Sequence, residues 1–155
     1  MTNNHSGRFI SLEGGEGVGK STQIACLAKA LQDLGIKAVT TREPGGSEGA
    51  EQIRALVLSG GNNRWDVATE ALLMGAARAD HLRATIKPNL INGLWVLSDR
   101  FIDSTRAYQG RAGGLGDEAA LALHRFGCGN FMPDRTLVLD LPDELIGARE
   151  AMRDL

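Results

Sequence analysis

A lysine and a serine stand at the end of a glycine-rich stretch near the amino terminus. Residues 14–21 have the pattern Gly, four residues, Gly-Lys-Ser, which is typical of a phosphate-binding loop. Glycines let such a backbone approach a polyphosphate, whose oxygens then accept successive backbone N–H groups. Lys20 can reach the β- and γ-phosphates, and the Ser21 hydroxyl can bind Mg²⁺. The pattern predicts a phosphate site; the alternative is a glycine-rich turn beside a lysine.

An acidic and a basic residue form a second candidate for chemistry. Asp99 and Arg100 follow the apolar residues 94–98, which predict a buried strand. An aspartate at the carboxyl end of such a strand can hold Mg²⁺ directly or through water, although it could also simply start a helix. The planar fork of Arg100 can bind a phosphate group. We expect Lys20 and Arg100 to face each other across one crevice wide enough for two nucleotides.

Two other polar segments could contact a small molecule. Residues 42–47, Arg-Glu-Pro-Gly-Gly-Ser, follow a predicted strand and form either a substrate loop or a solvated turn. Residues 101–116 predict part helix and part glycine-rich loop. Within them, Ser104, Tyr108 and Gln109 carry hydrogen-bonding groups suited to a sugar and a base.

The phosphate-binding loop needs regular elements on either side. A short strand is predicted at residues 9–12 and a helix at residues 21–34, where apolar residues recur at three- and four-residue steps and Gly35 is placed to end the helix. A strand at residues 37–41 follows. Strand, helix and strand predict a right-handed crossover in a parallel sheet, with the loop at the carboxyl end of a strand.

Two further helices are predicted before the strand that ends in Asp99. One begins at Ser47 or at the Gly46 before it and ends at the glycine pair at 60–61. The other covers residues 66–92, and Pro88 should kink or interrupt it near its end. Its apolar face is predicted to consist of Leu72, Leu73, Ala76, Ala79, Leu82, Ile86 and Leu90.

The remaining segments complete an α/β pattern. A helix that begins at Asp117 is predicted to pack on the sheet through Leu121, Leu123 and Phe126. A fourth strand is predicted at residues 136–140 and a last helix at residues 143–155. Among the charged helical residues, Arg54 and His81 are interpreted as solvent-exposed side chains, and His81 is not expected to bind a ligand.

Composition limits the class of protein. The chain has 155 residues, of which 43% are hydrophobic, and this length fits one domain with residues 1–7 as a flexible tail. Its net charge of −2 argues against a nucleic-acid or membrane-surface partner. Cys26 and Cys128 form no Cys-x-x-Cys, and neither a secretory segment nor a membrane-spanning run is recognisable, so a reducing cytoplasm is expected.

Together these segments resemble the thymidylate kinase family over residues 8–140. The markers are residues 14–21, Thr-Arg-Glu-Pro-Gly-Gly at 41–46, Ala-Ala-Arg at 76–78, Asp99-Arg100, Ser104 with Ala-Tyr-Gln-Gly at 107–110, and Pro133-Asp134 before residues 137–140. The resemblance implies a P-loop NTPase-type, three-layer α/β fold, a parallel sheet with helices on both faces. It also implies phosphorylation of dTMP to dTDP with ATP and Mg²⁺, by a homodimer.

The resemblance assigns site residues at the matching positions. The implied ATP-binding residues are Gly14, Gly15, Glu16, Gly17, Val18, Gly19, Lys20, Ser21 and Thr22. The implied dTMP-binding residues are Glu16, Arg42, Pro44, Met74, Arg78, Arg100, Ser104, Tyr108 and Gln109. Ser21 and Asp99 would hold the metal, and the implied catalytic residues are Lys20, Asp99, Arg100 and Arg153.

Individual roles follow from the same resemblance. Arg100 would bind the acceptor phosphate with Arg42 nearby, and Glu16 would approach the acceptor's sugar. Arg78 would hydrogen-bond the thymine edge. Tyr108 would lie beside the sugar with Gln109 and would disfavour a ribose 2′-hydroxyl.

The sequence departs from the family pattern in two places. Met74 stands where the family commonly has a phenylalanine that stacks on thymine, which leaves a kinase of another pyrimidine monophosphate open. The family continues into an arginine-rich lid, a strand and a helix, whereas this sequence ends at Leu155 and is expected to be a fragment or a shortened protein.

Arg149 and Arg153 resemble the first residues of that lid, and Arg153 is the candidate for stabilising the transferring phosphoryl group. The alternative for Arg153 is a solvated helix end. A nucleotide-binding module without turnover therefore stays an alternative, whereas a GTPase is disfavoured because the chain offers no Asn-Lys-x-Asp to read guanine.

Overall fold

The computed structural model describes residues 7–59, 64–142 and 145. Several expectations lie outside this part of the chain: residues 1–6 of the predicted tail at 1–7, the glycine pair at 60–61, and the helix at 143–155 apart from residue 145, with Arg149 and Arg153. Within the described residues, no helix is both long enough and apolar enough to cross a membrane.

The centre of the fold is a parallel sheet. Within the described part of the chain it has four strands: β1 Phe9–Glu13, β2 Ala38–Arg42, β3 Trp95–Asp99 and β4 Arg135–Val138, in the spatial order β2-β3-β1-β4. Asp99, at the end of β3, lies opposite Leu12 of β1 and Arg42 of β2. The predicted parallel sheet is confirmed, and its register brings the carboxyl ends of the first three strands to one edge.

Helices connect the strands. They are α1 Lys20–Asp33, α2 Glu48–Leu58, α3 Val67–His81, α4 Lys87–Ile91, α5 Ile102–Thr105 and α6 Asp117–Cys128. Two π-helical segments, Leu82–Ile86 and Arg106–Ala112, follow α3 and α5. The Ser47 hydroxyl accepts a hydrogen bond from the Ala50 amide, so Ser47 caps α2 as predicted.

The sheet has a hydrophobic core on each face, because successive strand residues point to opposite sides. On one face Ile10, Leu12 and Leu97 pack with Ile24 and Leu31 of α1. On the other, Phe9 and Val96 pack with residues of the helices beyond β2: Leu82, Ile86, Phe101, Ile102 and Cys128. Helices therefore cover both faces, as the resemblance implied.

The predicted interruption near Pro88 takes the form of a π-helical turn. The segment Leu82–Ile86 links α3 to α4, and Pro88 lies in the first turn of α4. A proline in a first turn is tolerated because its missing N–H is least needed there. The two helices and the π-turn thus form the single long helical stretch that the sequence pattern indicated.

The predicted apolar face of α3 is only partly correct. Leu82 and Ile86 are buried, but Leu72 is 57% exposed and Ala76 is exposed. The buried residues of α3 are instead a mixture of small apolar and polar side chains: Ala71, Ala77, Arg78 and His81. The expectation of an exposed His81 is therefore wrong. His81 is fully buried, because Thr41 at the end of β2 and Glu43 just after it provide hydrogen-bond partners for its ring.

The predicted packing of Phe126 on the sheet is also wrong. Phe126 is 94% exposed. The buried residues of α6 are Ala120, His124 and Cys128, which recur every fourth residue. This periodicity defines a narrow inward face, and Phe126 falls outside it.

Candidate active site

The phosphate-binding loop joins the end of β1 to the start of α1. Gly14, Gly17 and Gly19 have φ angles of 140°, 73° and 101°, a region that favours glycine. Gly14 also passes close to another segment, because a Cβ there would lie 2.3 Å from the Leu139 carbonyl oxygen. The predicted need for glycine is therefore confirmed at these positions.

Lys20 is folded back onto this loop. Its Nζ donates to the carbonyl oxygens of Gly14 at 3.0 Å and Gly15 at 2.7 Å. Burial lowers the pKa of Lys20, and the positive charge of Arg100 lowers it further. An anion beside Lys20 would favour its charged form and so oppose this lowering.

The backbone of Arg100 is held in an unusual conformation. Among the described residues, Arg100 is the only non-glycine residue with positive φ, at 71°. Its amide donates to the Leu12 carbonyl at 2.9 Å, and the Ser98 hydroxyl donates to its carbonyl at 2.8 Å. Such strain persists only where surrounding contacts hold it, and it concentrates at functional sites.

The guanidinium of Arg100 is oriented by neighbouring side chains. Its Nη1 donates to the Ser104 hydroxyl at 3.0 Å. The group also lies over the Tyr108 ring, 5.3 Å from its centroid. These contacts place the cation beside two residues that the sequence suggested for a sugar and base.

A buried carboxylate lies behind this arginine. Glu13 is 5% exposed, and its Oε1 accepts a hydrogen bond from the Phe101 amide at 2.7 Å. Its Oε2 accepts one from the Ser104 hydroxyl at 2.6 Å. Burial raises the pKa of Glu13, while the two hydrogen bonds oppose that rise. Glu13 was not singled out from the sequence.

Asp99 offers an unpaired acceptor to the same region. Its Oδ1 is buried and has no hydrogen-bond partner among the described residues. A buried, unpaired carboxylate oxygen is costly unless a ligand, water or metal ion supplies the partner. No group of three or more His, Cys, Asp or Glu side chains in this part of the chain could hold a metal by itself. The donor set fits Mg²⁺, which usually takes few protein carboxylates together with substrate phosphates.

The loop after β2 is firmly tied down. Its hydrogen bonds run from the Glu43 amide to the Asp99 carbonyl (2.8 Å), from Arg54 to the Pro44 carbonyl (2.7 Å), from Thr85 to the Gly46 carbonyl (2.6 Å) and from Ser47 to Asp80 (2.7 Å). A solvated turn would not need so many partners. Residues 42–47 are therefore an ordered segment, and their contact with a substrate stays a prediction.

A buried polar network links this loop to α3. Glu43 accepts from Arg78 Nε at 2.7 Å and is 3.0 Å from His81 Nδ1. His81 Nε2 is 2.7 Å from the Thr41 hydroxyl, and Arg78 Nη2 donates to the Thr105 hydroxyl at 2.8 Å. Exposed fractions of 6% for Glu43 and 4% for Arg78 mean that both charges depend on each other.

Three more residues that the resemblance assigned to dTMP binding are Arg42, Gln109 and Met74. The first two form hydrogen bonds with side chains of the protein. Arg42 pairs with both carboxylate oxygens of Glu51 at 3.1 Å. Gln109 is buried and donates to Glu70 at 2.7 Å. Met74 is half-buried on α3, one helical turn before Arg78.

One cavity brings the principal residues together. It has a volume of about 780 Å³ and is lined by Glu16, Gly17, Gly19, Lys20, Ser21, Thr22, Gln23, Arg42, Glu43, Arg54, Asp99 and Arg100. Lys20 and Arg100 thus line the same crevice, as expected from the sequence. Met74, Arg78, Ser104, Tyr108 and Gln109 are not among its lining residues.

Comparison with known proteins identifies the family. A family model for thymidylate kinase matches residues 12–155. The chain belongs to the thymidylate kinase family. A thymidylate kinase of Rhizorhabdus wittichii is 60% identical over 136 residues, which cover 88% of this chain and 65% of that protein. A thymidylate kinase of Nitrobacter hamburgensis is 54% identical over 147 residues, covering 95% and 64%.

A solved thymidylate kinase has the same fold. The crystal structure of thymidylate kinase from Ehrlichia chaffeensis superposes with a TM-score of 0.81 at 35% identity, covering 96% of this chain and 86% of the other. The chain spans 65% and 64% of the lengths of the two curated thymidylate kinases.

Arg54 is a cavity residue whose side chain was predicted from the sequence to face solvent. It lines the cavity and is anchored to the Pro44 carbonyl. The sequence held a partial signal for this position. Arg54 lies seven residues, or two helical turns, after the cap Ser47, and so on the same face of α2 as the loop before the helix. The signal for Glu13 was weaker, since a glutamate ending a strand has no distinctive spacing.

Proposed function

We propose that the chain transfers the γ-phosphoryl group of ATP to dTMP with Mg²⁺, giving dTDP and ADP. The observation that carries this proposal is the shared cavity, in which the phosphate-binding loop meets the Asp99–Arg100 pair and the arginines of the β2–α2 segment. Transfer between two anions requires such a concentration of cations, because the substrates must be held end to end against their repulsion.

The donor side is the phosphate-binding loop. The residues proposed to bind ATP are Gly14, Gly15, Glu16, Gly17, Val18, Gly19, Lys20, Ser21 and Thr22. Backbone N–H groups and the start of α1 would bind the phosphates, and Lys20 would exchange its loop carbonyls for phosphate oxygens. Ser21 and Asp99 would hold Mg²⁺, which when bound offsets the negative charge on the transferring group.

The acceptor side is the set of arginines across the cavity. Arg100 would bind the dTMP phosphate, with Arg42 and Arg54 adding charge from the β2–α2 segment. Glu16 would approach the sugar from the phosphate loop, and Pro44 would line the acceptor site. Water exclusion then lets the acceptor phosphate, rather than solvent, attack the γ-phosphate.

The base side is proposed to lie between α3 and the segment after β3. Arg78, oriented by Glu43 and Thr105, would hydrogen-bond the thymine edge, and Met74 would lie against the ring. Ser104, Tyr108 and Gln109 would line the sugar and base. Because Met74 is a softer platform than an aromatic ring, a kinase of another pyrimidine monophosphate is the second candidate.

Arg153 is proposed to stabilise the transferring phosphoryl group from a lid. The residue lies outside the described part of the chain. Its role is testable through turnover: Arg153→Ala would lower kcat with little change in the Kd for dTMP, since the contact would form only during transfer.

A homodimer in the cytoplasm is proposed for the assembly. Leu72 of α3 is 57% exposed and Phe126 of α6 is 94% exposed, on helices that pack against each other. Such apolar side chains are suited to a protein interface. The cysteines Cys26 and Cys128 are free thiols, which fits a reducing compartment. Sedimentation of the parent and of Phe126→Glu tests the dimer, which the charge should weaken.

The deciding experiment is a coupled assay of ADP release. With ATP and Mg²⁺, release that depends on dTMP and exceeds release with dUMP, UMP and CMP supports the proposal. Faster release with one of the other nucleotides would favour the second candidate. Tight nucleotide binding by calorimetry without any turnover would instead identify a nucleotide-binding module.

A further inference from the structure

The geometry points to Glu13 as a positioning residue that orients Arg100 for the acceptor phosphate through Ser104. This inference rests on the proposed function, since it deepens the role of Arg100 in the same site. It concerns a carboxylate that does not line the cavity and that touches neither nucleotide in the proposed arrangement.

The first argument is the direction of the hydrogen bonds. A serine hydroxyl has one proton, and Ser104 donates it to Glu13 Oε2 at 2.6 Å. The lone pairs of the hydroxyl then face Arg100, whose Nη1 donates to them at 3.0 Å. Glu13 Oε2, as the acceptor of that proton, therefore fixes the hydroxyl in the orientation that receives the guanidinium.

The second argument is the backbone. Glu13 Oε1 accepts from the Phe101 amide at 2.7 Å, immediately after the residue with φ of 71°. The Arg100 amide is bound to Leu12, the neighbour of Glu13 in β1. One carboxylate and the strand that carries it thus hold both the strained backbone and the side chain of Arg100.

The third argument is burial. Glu13 is 5% exposed, and a buried carboxylate needs nearby donors or cations to remain in place. Its described donors are the Phe101 amide and Ser104, and Arg100 lies one hydrogen bond further on. The carboxylate therefore faces the segment that begins with Arg100, and purely apolar packing would not explain its position.

The test starts with Glu13→Gln. The amide keeps the volume, but only its oxygen can accept a hydrogen bond, so the variant cannot accept from both the Phe101 amide and the Ser104 hydroxyl. We expect the Kd for dTMP, measured by calorimetry without ATP, to rise by about tenfold or more. Asp134→Asn is the matched control: Asp134 also accepts from a backbone amide, Phe9, and from an arginine, but at the opposite end of β1. Its Kd for dTMP should match that of the parent.

A double-mutant cycle separates positioning from general damage. In an Arg100→Ala background, Glu13→Gln should add little to the loss of dTMP affinity, because the group that it orients is gone. An equal loss in both backgrounds, or an equal loss from Asp134→Asn, would overturn the inference in favour of a structural role.

A nucleotide-free measurement keeps this inference separate from the proposed function. The Arg100 Nε–H signal in NMR should show restricted motion in the parent and faster motion in Glu13→Gln. Ser104→Ala keeps the hydrogen bond that the Phe101 amide donates to Glu13. It should raise the mobility of the Arg100 side chain in the same way, and it serves as the test if Glu13→Gln does not fold. An Arg100 signal that stays equally ordered in these variants would overturn the inference. Failure of the parent to bind dTMP would count against the proposed function alone.

Discussion

Lys20 is the cation that lies on the phosphate-binding loop itself. Replacing it with alanine removes the charge that would follow the phosphates during transfer, so kcat should fall by about a hundred- to a thousandfold. Steady-state ADP release with dTMP, ATP and Mg²⁺ measures this. Lys29→Ala is the control, because Lys29 lies on the same helix but is exposed and paired with Asp33. An unchanged rate for Lys20→Ala would contradict the proposed role.

Glu43 supports the substrate loop through buried charge. Glu43→Gln leaves Arg78 buried without its carboxylate, which should lower the free energy of unfolding by about 3 kcal/mol. Urea unfolding of the variant and parent measures the change. Asp33→Asn, which breaks an exposed pair, should cost less than about 1 kcal/mol. Equal stabilities of Glu43→Gln and the parent would show that the network has little net effect.

Individual site residues differ in how far the sequence could predict them. Lys20 and Ser21 belong to a local pattern whose spacing carries the chemistry, and Arg100 follows a recognisable strand. Glu43 and His81 meet across 38 positions of sequence, and Glu13 meets Ser104 across 91. Such partners depend on how the helices dock on the sheet, which no local pattern encodes.

The segment between β2 and α2 tolerates little added volume. Gly46 has φ of 84°, and a Cβ there would lie 2.3 Å from Thr41 Oγ1 and 2.4 Å from His81 Nε2. Gly46→Ala should therefore cost more than about 2 kcal/mol of unfolding free energy and raise the KM for dTMP. Gly35→Ala is the control, since φ is 74° but no atom lies within 4 Å, so only about 1 kcal/mol is expected. Similar losses for both variants would mean that the site near His81 can relax.

Helices and strands were predicted better than the faces they bury. The capped start of α2 and the π-turn before Pro88 correspond to local signals, namely a serine and a proline. The inward face of α3 does not, because Arg78 and His81 occupy it in the last turn of the helix, where an apolar side chain would be expected. Because Glu43 provides buried hydrogen-bond partners for Arg78 and His81, the polar side of α3 can pack inward in place of an apolar side. Hydrophobic periodicity then predicts the wrong face of the helix as buried.

His124 connects the helical layer to the sheet and should make stability depend on pH. It is 3% exposed, lies 2.7 Å from the Phe131 carbonyl and packs edge-on against Phe101. Burial lowers the pKa of His124 below 6.5. The unfolded chain then takes up a proton before the folded one, so the free energy of unfolding should fall as pH drops below about 6.5.

His124→Gln tests this dependence, because glutamine can still donate to the Phe131 carbonyl but does not titrate. Urea unfolding between about pH 8 and 5 should give a flatter profile for the variant than for the parent. Parallel profiles would show that other groups cause the acid sensitivity.

The overall architecture followed from the alternation of strands and helices, which predicts a parallel sheet and puts ligands at the carboxyl ends of its strands. The crevice shared by Lys20 and Arg100 follows from that rule. The order β2-β3-β1-β4 does not, since several orders satisfy the same pattern. It places β3 beside β1, and only this adjacency lets Leu12 and Glu13 reach the Arg100 segment.

The left-handed backbone conformation of Arg100 lowers the stability of the fold, while its side chain serves the proposed function. Glycine or asparagine would accept that conformation with less strain than arginine, so either change should relieve the fold while removing the cation from the crevice. In a laboratory selection for heat resistance alone, we therefore expect substitutions at position 100 that raise stability and abolish the proposed activity. Selection for growth should keep arginine there despite its conformational cost.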